Sequence, residues 1–334
     1  MVFRDREKKR LVPLKPCLFS PEACIPGTYQ KKERDFCLSD DFSDENIHAI
    51  VRENAISYFS ERDIPWHKGI NGRPSNHLCC SQSFCVNVWF PFIDKPDALL
   101  DVLKGIGYPA KEVLPFTSDS TIHTGEKPFL SFEWIGDKNY LGELRRGVPA
   151  GDSDRSRGQN FTSADFAFRF LRDDGKIQVV LGEWKYTENY TWGKSIRISG
   201  SGKDRLTIYG PHLEHQACQI RLGSVDPDWL FYDPFDQLMR LQLLASMMEH
   251  HHEMDAEIVS VLHIAPIANK ELTERITSPY LRDFATDIHL LWAKLVTDMR
   301  FQGFHAEQLI PILSQSLGDE HWGQYMESRY GGMK

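Results

Sequence analysis

The stretch Thr162-Ser163-Ala164-Asp165-Phe166-Ala167-Phe168-Arg169-Phe170-Leu171-Arg172-Asp173-Asp174-Gly175-Lys176-Ile177-Gln178-Val179-Val180-Leu181-Gly182-Glu183-Trp184-Lys185 decides how the chain is read. Phe166, Phe168 and Phe170 alternate with Asp165, Ala167 and Arg169, and residues 177–181 form a second β-rich run. Asp173-Asp174-Gly175 between them suits a three-residue hairpin loop with glycine at the left-handed position. A pairing symmetric about Asp174 sets Arg172 against Lys176, Phe170 against Gln178 and Asp165 against Glu183. Side chains directly opposed in this way sit roughly 5 Å apart at Cβ. Glu183 and Lys185 share a face of their strand, while Trp184 points the other way.

Two carboxylates held this close raise each other's cost of ionisation, and a divalent cation relieves it. Carboxylate oxygens suit Mg²⁺ or Mn²⁺, which take their remaining ligands from water and substrate phosphate. Lys185 is placed to orient or deprotonate an attacking water, or to neutralise charge building on the phosphorane. The same residues also fit a plainer arrangement, in which Asp165 and Glu183 are solvated carboxylates on an exposed sheet face and Lys185 is their ion partner.

The order of a strand with Asp, a turn and an apolar strand ending in Glu-x-Lys resembles the PD-(D/E)XK nuclease superfamily, with Ala164 where the eponymous proline would stand. Residues 80–87, Phe132-Glu133-Trp134 with Leu141-Gly142-Glu143, residues 158–165 and residues 237–244 resemble a bacterial branch of restriction-endonuclease-like proteins. The likeness spans about residues 40–300. It implies an α/β fold with a restriction-endonuclease-like core (α-β-β-β-α-β), a mixed central sheet flanked by helices, and extra N- and C-terminal helices. It also implies a metal-dependent DNA endonuclease, similar to restriction or other anti-phage defence nucleases. In that scheme Asp165, Glu183 and the Trp184 backbone carbonyl hold Mg²⁺ or Mn²⁺, and Lys185 contacts the attacking water and the scissile phosphate. Acids of the first helix supplement the metal in several branches, which makes Glu53 a candidate; Glu143 is a second. The reading from another class is a catalytically inactive nucleic-acid-binding or scaffolding subunit that keeps the fold.

At 334 residues with 41% hydrophobic and 26% charged residues, the chain can bury a sizeable core. The net charge of −8 argues against a protein that coats nucleic acid with its whole surface, but residues 145–205 hold 12 Lys/Arg against 8 Asp/Glu. The proposed site therefore lies in the basic part of an acidic chain. Expected partners are DNA, or RNA, and either a second copy of the chain or a partner subunit of a defence system. Seven cysteines without a CxxC pair read as free thiols of a reducing cytoplasm, and neither a signal peptide nor a membrane-spanning run is expected.

Along the chain, residues 1–40 are charged and then punctuated by Pro13, Pro16, Pro21 and Pro26, and read as an arm on the surface or mobile. Residues 41–334 read as one elaborated domain. Ser43-Asp44-Glu45 is expected to cap a helix through Ile47, Ile50, Val51, Ala55, Ile56 and Phe59 that Arg62-Asp63 ends. A buried helix follows at 81–90, with Gln82 at its polar start, and another begins at Pro96 and stops at Gly105 and Gly107. Thr124-Gly125-Glu126-Lys127-Pro128 spells a zinc-finger linker, but no CxxC with spaced histidines adjoins it, so residues 128–136 are read as a core strand. Arg155 and Arg157 of the 145–160 loop, Lys194, Arg197 and Gln82 are candidates for phosphate contact. Ser199-Gly200-Ser201-Gly202-Lys203-Asp204 lacks the spacing of a phosphate loop. Helices are expected at 235–252, 279–296 and 305–316, with a strand at 257–265. His250, His251 and His252 end the first of these rather than chelate, since consecutive helical residues point apart.

Overall fold

The computed structural model describes residues 2–333 apart from Arg146, Asn160, Thr191 and Ser201. Asn160 and Ser201, which fall within stretches quoted above, thus lie outside the described residues. In chain order the main helices are α1 (Phe3–Leu11), α2 (Arg52–Glu61), α3 (Ser81–Trp89), α4 (Pro96–Gly105), α5 (Leu206–Leu213), α6 (Phe235–His250), α7 (Ile288–Leu295), α8 (Ala306–Leu317) and α9 (Glu320–Met326). The central sheet consists of β1 (Ala110–Leu114), β2 (Leu130–Trp134), β3 (Ala164–Arg172), β4 (Ile177–Trp184), β5 (Ile258–Ala265) and β6 (Phe301–His305).

β3 and β4 form the expected hairpin, with Phe166 opposite Gly182 and Phe170 opposite Gln178. Gly175 closes its loop at φ 83°, a value glycine adopts without steric cost. From β4 the sheet runs parallel through β5 to β6, whereas β3 pairs antiparallel with β4. The outer edge of β3 is shared: β2 pairs with its first half and β1 with its second. The result is a mixed sheet with helices on both faces, as expected of a restriction-endonuclease-like α/β fold. Burial on both faces explains why all eight residues of β5 are buried instead of alternating.

Phe166, Phe168 and Phe170 project into one core with α1, α2, α3, α8 and α9, and the Trp89 ring stacks on Phe166 at 4.6 Å. Ala167, Val179 and Leu181 project into the other, beneath α6 and α7. Gly182 is required in this packing, because a Cβ there would come within 2.2 Å of the Phe166 ring.

Several element readings are corrected. The segment expected as a loose arm includes α1, which buries Phe3, Glu7 and Leu11 at i, i+4, i+8 spacing. Glu7 accepts a hydrogen bond from the Tyr186 hydroxyl at 2.8 Å, so α1 is tied to the residue after Lys185. Ser43 is buried within a 3₁₀ segment (Asp40–Asn46) and caps nothing; α2 begins only at Arg52. The helix expected at 279–296 contracts to α7, whose start is fixed by the Asp287 carboxylate accepting the His289 amide at 2.7 Å. β1, β6, α5 and α9 were not expected. No helix among the described residues is long and apolar enough to cross a membrane, and all seven cysteines are free.

Arg157 is likewise corrected from a phosphate ligand to a structural cation. It donates to Asp119 at 3.1 Å and lies over the Trp134 ring at 4.6 Å, while Asp119 also receives Arg62 at 2.9 Å and the Tyr58 hydroxyl at 2.5 Å. Burial opposes ionisation of Asp119, but Arg157, Tyr58 and Arg62 outweigh it and hold the carboxyl down at about 2. Asp119→Asn leaves two cations without their counter-charge and should cost about 3 kcal/mol or more at neutral pH. Because the folded value lies below the ordinary one of about 3.9, this stabilisation is complete above that pH. It is lost as pH falls toward about 2. Urea denaturation of wild type and variant should therefore give curves that converge on acidification; a constant gap would refute the assignment.

Candidate active site

Strand register sets three acids in one row across the sheet. Phe132 stands opposite Phe166 and Trp134 opposite Ala164, so Glu133 is level with Asp165. On the other side the hairpin register continues to Asp165, whose Oδ2 accepts the Trp184 amide at 2.7 Å, and this brings Asp165 level with Glu183. Glu133 takes φ 50°, a left-handed conformation that costs an L-residue about 1–2 kcal/mol. The twist there reverses the alternation of β2: Phe132 packs in one core and Trp134 in the other.

Each acid is held separately. Glu133 accepts from Gln82 Nε2 at 2.9 Å and from Ser163 Oγ at 3.0 Å. Gln82 is itself fixed, its Oε1 accepting the His67 amide at 2.7 Å. Burial raises the Glu133 carboxyl, opposed by the Gln82 and Ser163 hydrogen bonds and reinforced by the charge of Glu183. Asp165 is driven well above the usual carboxylate range by burial first, then by Glu183 and Glu133; Lys185 and the Trp184 amide offset only part of this. The Lys185 ammonium lies 2.5 Å from Glu183 and donates at 2.6 Å to Oε1 of Gln237 on α6; the Gln237 Nε2 donates in turn to Asp233 at 3.0 Å. Burial disfavours that ammonium, yet Glu183, Tyr190, Glu188 and Asp165 hold it charged and raise its pKa well above the ordinary lysine value. Lys185 in this state is a cation that donates to Glu183 and Gln237.

Glu133 and Gln237 were missed as site residues. The signal for Glu133 was an acid inside the apolar run Leu130–Trp134, next to the Asp165 strand. Nothing local marked Gln237, which arrives from α6 by tertiary packing. Among the other candidates, Gln82 does reach the site. Glu143 lines the same cleft, but both its oxygens are engaged, by the Thr162 amide and hydroxyl at 2.8 and 2.6 Å and by Tyr209 at 2.9 Å. It ties a loop to the Asp165 strand. Glu53 is exposed on α2, apart from the cleft lining. Arg155 donates to the carbonyls of Ile135 and Gly136 at 2.6 and 2.7 Å, Arg197 pairs with Asp204 at 2.8 Å and with Asp228, and Lys194 is exposed without lining the cleft.

Glu133 and Asp165 open into a cleft of about 1180 Å³, and Glu183 lines a smaller adjoining pocket with Asp165, Gln237 and Arg240. The cleft's cations are Lys185, Arg145, Lys203, Arg205 and Arg240, of which Arg205 and Arg240 share Asp236 at 2.7 and 3.0 Å. Among the described residues no three His, Cys, Asp or Glu side chains are close enough, as they stand, to surround one metal ion; Glu183 is turned to Lys185 instead. The donor chemistry nevertheless fits a divalent cation, since Lys185 pairs with Glu183 and the buried Asp165 carboxyl is left without adequate positive charge.

A mixed α/β sheet flanked by helices, with acids and a lysine gathered over one cleft, is compatible with the restriction-endonuclease-like class. The chain belongs to the family described as restriction endonuclease associating with ARP, which matches residues 15–331. Neither a curated protein nor a solved structure gives a significant match.

Because the folded Asp165 carboxyl is raised, its ionisation opposes folding once pH exceeds the unfolded value of about 3.9. Asp165→Asn should therefore melt about 2 °C or more higher than wild type at neutral pH in EDTA. Near pH 3.5 the two should melt together. A variant less stable than wild type at neutral pH would contradict the buried-charge account.

Proposed function

We propose that the chain is a metal-dependent DNA endonuclease of PD-(D/E)XK type, working with Mg²⁺ or Mn²⁺. The observation that carries this reading is the level placement of Glu133, Asp165 and Glu183 beside a charged, buried Lys185. Asp165, Glu183 and the Trp184 carbonyl are the residues that would hold the cation, with Glu133 as the third acid in place of Glu143 or Glu53. When bound, the cation supplies Lewis-acid activation of water and neutralises charge on the phosphoryl oxygens. The protein's own part is positional. Gln82 and Ser163 fix Glu133, the Trp184 amide fixes Asp165, and Gln237 aims the Lys185 ammonium. Lys185 orients the attacking water and meets the charge that develops on the scissile phosphate. The family description supports a nuclease over a purely scaffolding subunit, and its wording makes an ARP partner part of this proposal.

The test is nicking of plasmid DNA with Mg²⁺, absent in EDTA. Lys185→Met keeps the aliphatic stem, so DNA affinity in Ca²⁺ should largely survive while cleavage falls by roughly 10²-fold or more. Wild-type cleavage by this variant would remove the ammonium from the mechanism.

With Arg155 and Arg157 committed to the fold, the cations assigned to phosphate contact are the exposed Lys203 and Arg145, the latter also donating to the Asp154 carbonyl. Neutralising both should flatten the slope of log affinity against log salt by up to about 2 units, and an unchanged slope would move the DNA path elsewhere.

A further inference from the structure

A second cavity, of about 420 Å³, opens beside the cleft and meets it at His67, Ser81 and Glu188. Its wall carries three cations unused by the site above: Arg4 and Lys8 from α1, and Lys68 from the turns after α2. Arg4 and Lys8 are four apart on the helix and so share a face. Burial of Phe3, Glu7 and Leu11 anchors the neighbouring stripe of the helix, so the charges do not ride on a loose terminus. Lys8 lies over the Phe36 ring at 4.3 Å and Lys68 donates to the Tyr29 hydroxyl at 3.1 Å. Two acids share the wall, but Glu188 is already held by the Tyr186 amide at 2.6 Å, and the cations outnumber the acids.

The convergence of these charges is felt by His77, which also lines the cavity. Its imidazole is kept neutral, with its pKa pushed down to about 3, by burial first and then by Lys8, Lys68 and Arg4. The first turn of α3 opens on the same space at Ser81. The volume is that of an ordinary small-ligand site and would accommodate one nucleotide unit.

We propose that this cavity is a phosphate subsite, in which Arg4, Lys8 and Lys68 hold a phosphate group of the nucleic acid whose scissile bond lies in the adjoining cleft. The nucleic-acid identity of the ligand rests on the nuclease reading; the anion site itself does not. The phosphate is either the terminal monoester of a strand end or an internal diester, two sources of one chemistry.

Affinity is measured with the full chain carrying Lys185→Met, in Ca²⁺ on short duplexes with 5′-phosphate or 5′-hydroxyl ends, and in metal-free buffer on inorganic pyrophosphate by calorimetry. Adding Arg4→Gln and Lys68→Gln should weaken binding about 10-fold. Loss confined to the phosphorylated duplex assigns the terminal group, and equal loss on both duplexes assigns an internal diester. Both residues are exposed, so an unchanged Tm is expected, and the charge-conserving pair Arg4→Lys and Lys68→Arg should restore affinity. If pyrophosphate binding falls in the double variant while no duplex binds even the parent, the anion site stands and the nucleic-acid reading fails. Unaltered affinity for both duplexes and for pyrophosphate overturns the subsite.

Discussion

Glu133, Asp165 and Glu183 stand level on three adjacent strands, and the burial that places them there raises the cost of keeping Asp165 and Glu133 ionised. The surrounding structure answers that cost with fixed donors. The Trp184 amide reaches Asp165, Gln82 and Ser163 reach Glu133, and Lys185 reaches Glu183. Together they leave Asp165 undercompensated, and this residual imbalance supports the proposed cation. A sheet edge exposed to water would hold the same acids at little cost and with little consequence.

The support reaches far beyond the cleft. α6 brings Gln237 to Lys185, and α1 brings Glu7 to Tyr186, the residue after Lys185. The N-terminal helix is thereby part of the wall behind the site. The stripe beside its buried Phe3 and Leu11 carries the exposed Arg4 and the half-buried Lys8. One short amphipathic helix therefore links the geometry at the end of β4 to the charge of the neighbouring cavity.

The hairpin was legible from the chain because its information is local: alternating phenylalanines, a loop with glycine at its left-handed position, and a register that follows from the loop. The Asp165, Glu183 and Lys185 cluster could be read from that register alone. Glu133 could not be placed the same way, since its left-handed backbone breaks the alternation from which facing is inferred. Arg155 and Arg157 were misassigned for a different reason. An arginine in a glycine-rich loop looks the same whether its partner is solvent phosphate or the backbone carbonyls and Asp119 it meets here. The α1 spacing was visible at Phe3, Glu7 and Leu11, but a glutamate in the buried stripe hid the pattern until Tyr186 and Arg10 supplied its partners.

Charge is also divided by depth within the cleft. Arg205 and Arg240 are neutralised by the buried Asp236, so they act as a rigid wall more than as free attraction. Lys203 is exposed at the rim, where a cation meets polyanion early and is screened by salt. Lys185 sits at the bottom, where low polarity strengthens each contact and the raised pKa keeps the proton in place. An ammonium so held would be a poor proton acceptor, but it is well suited to donate to developing negative charge. The transition state of phosphodiester hydrolysis presents that charge at the scissile phosphate. The same burial that makes Asp165 costly to ionise therefore strengthens the contacts that keep Lys185 charged, as its proposed role requires.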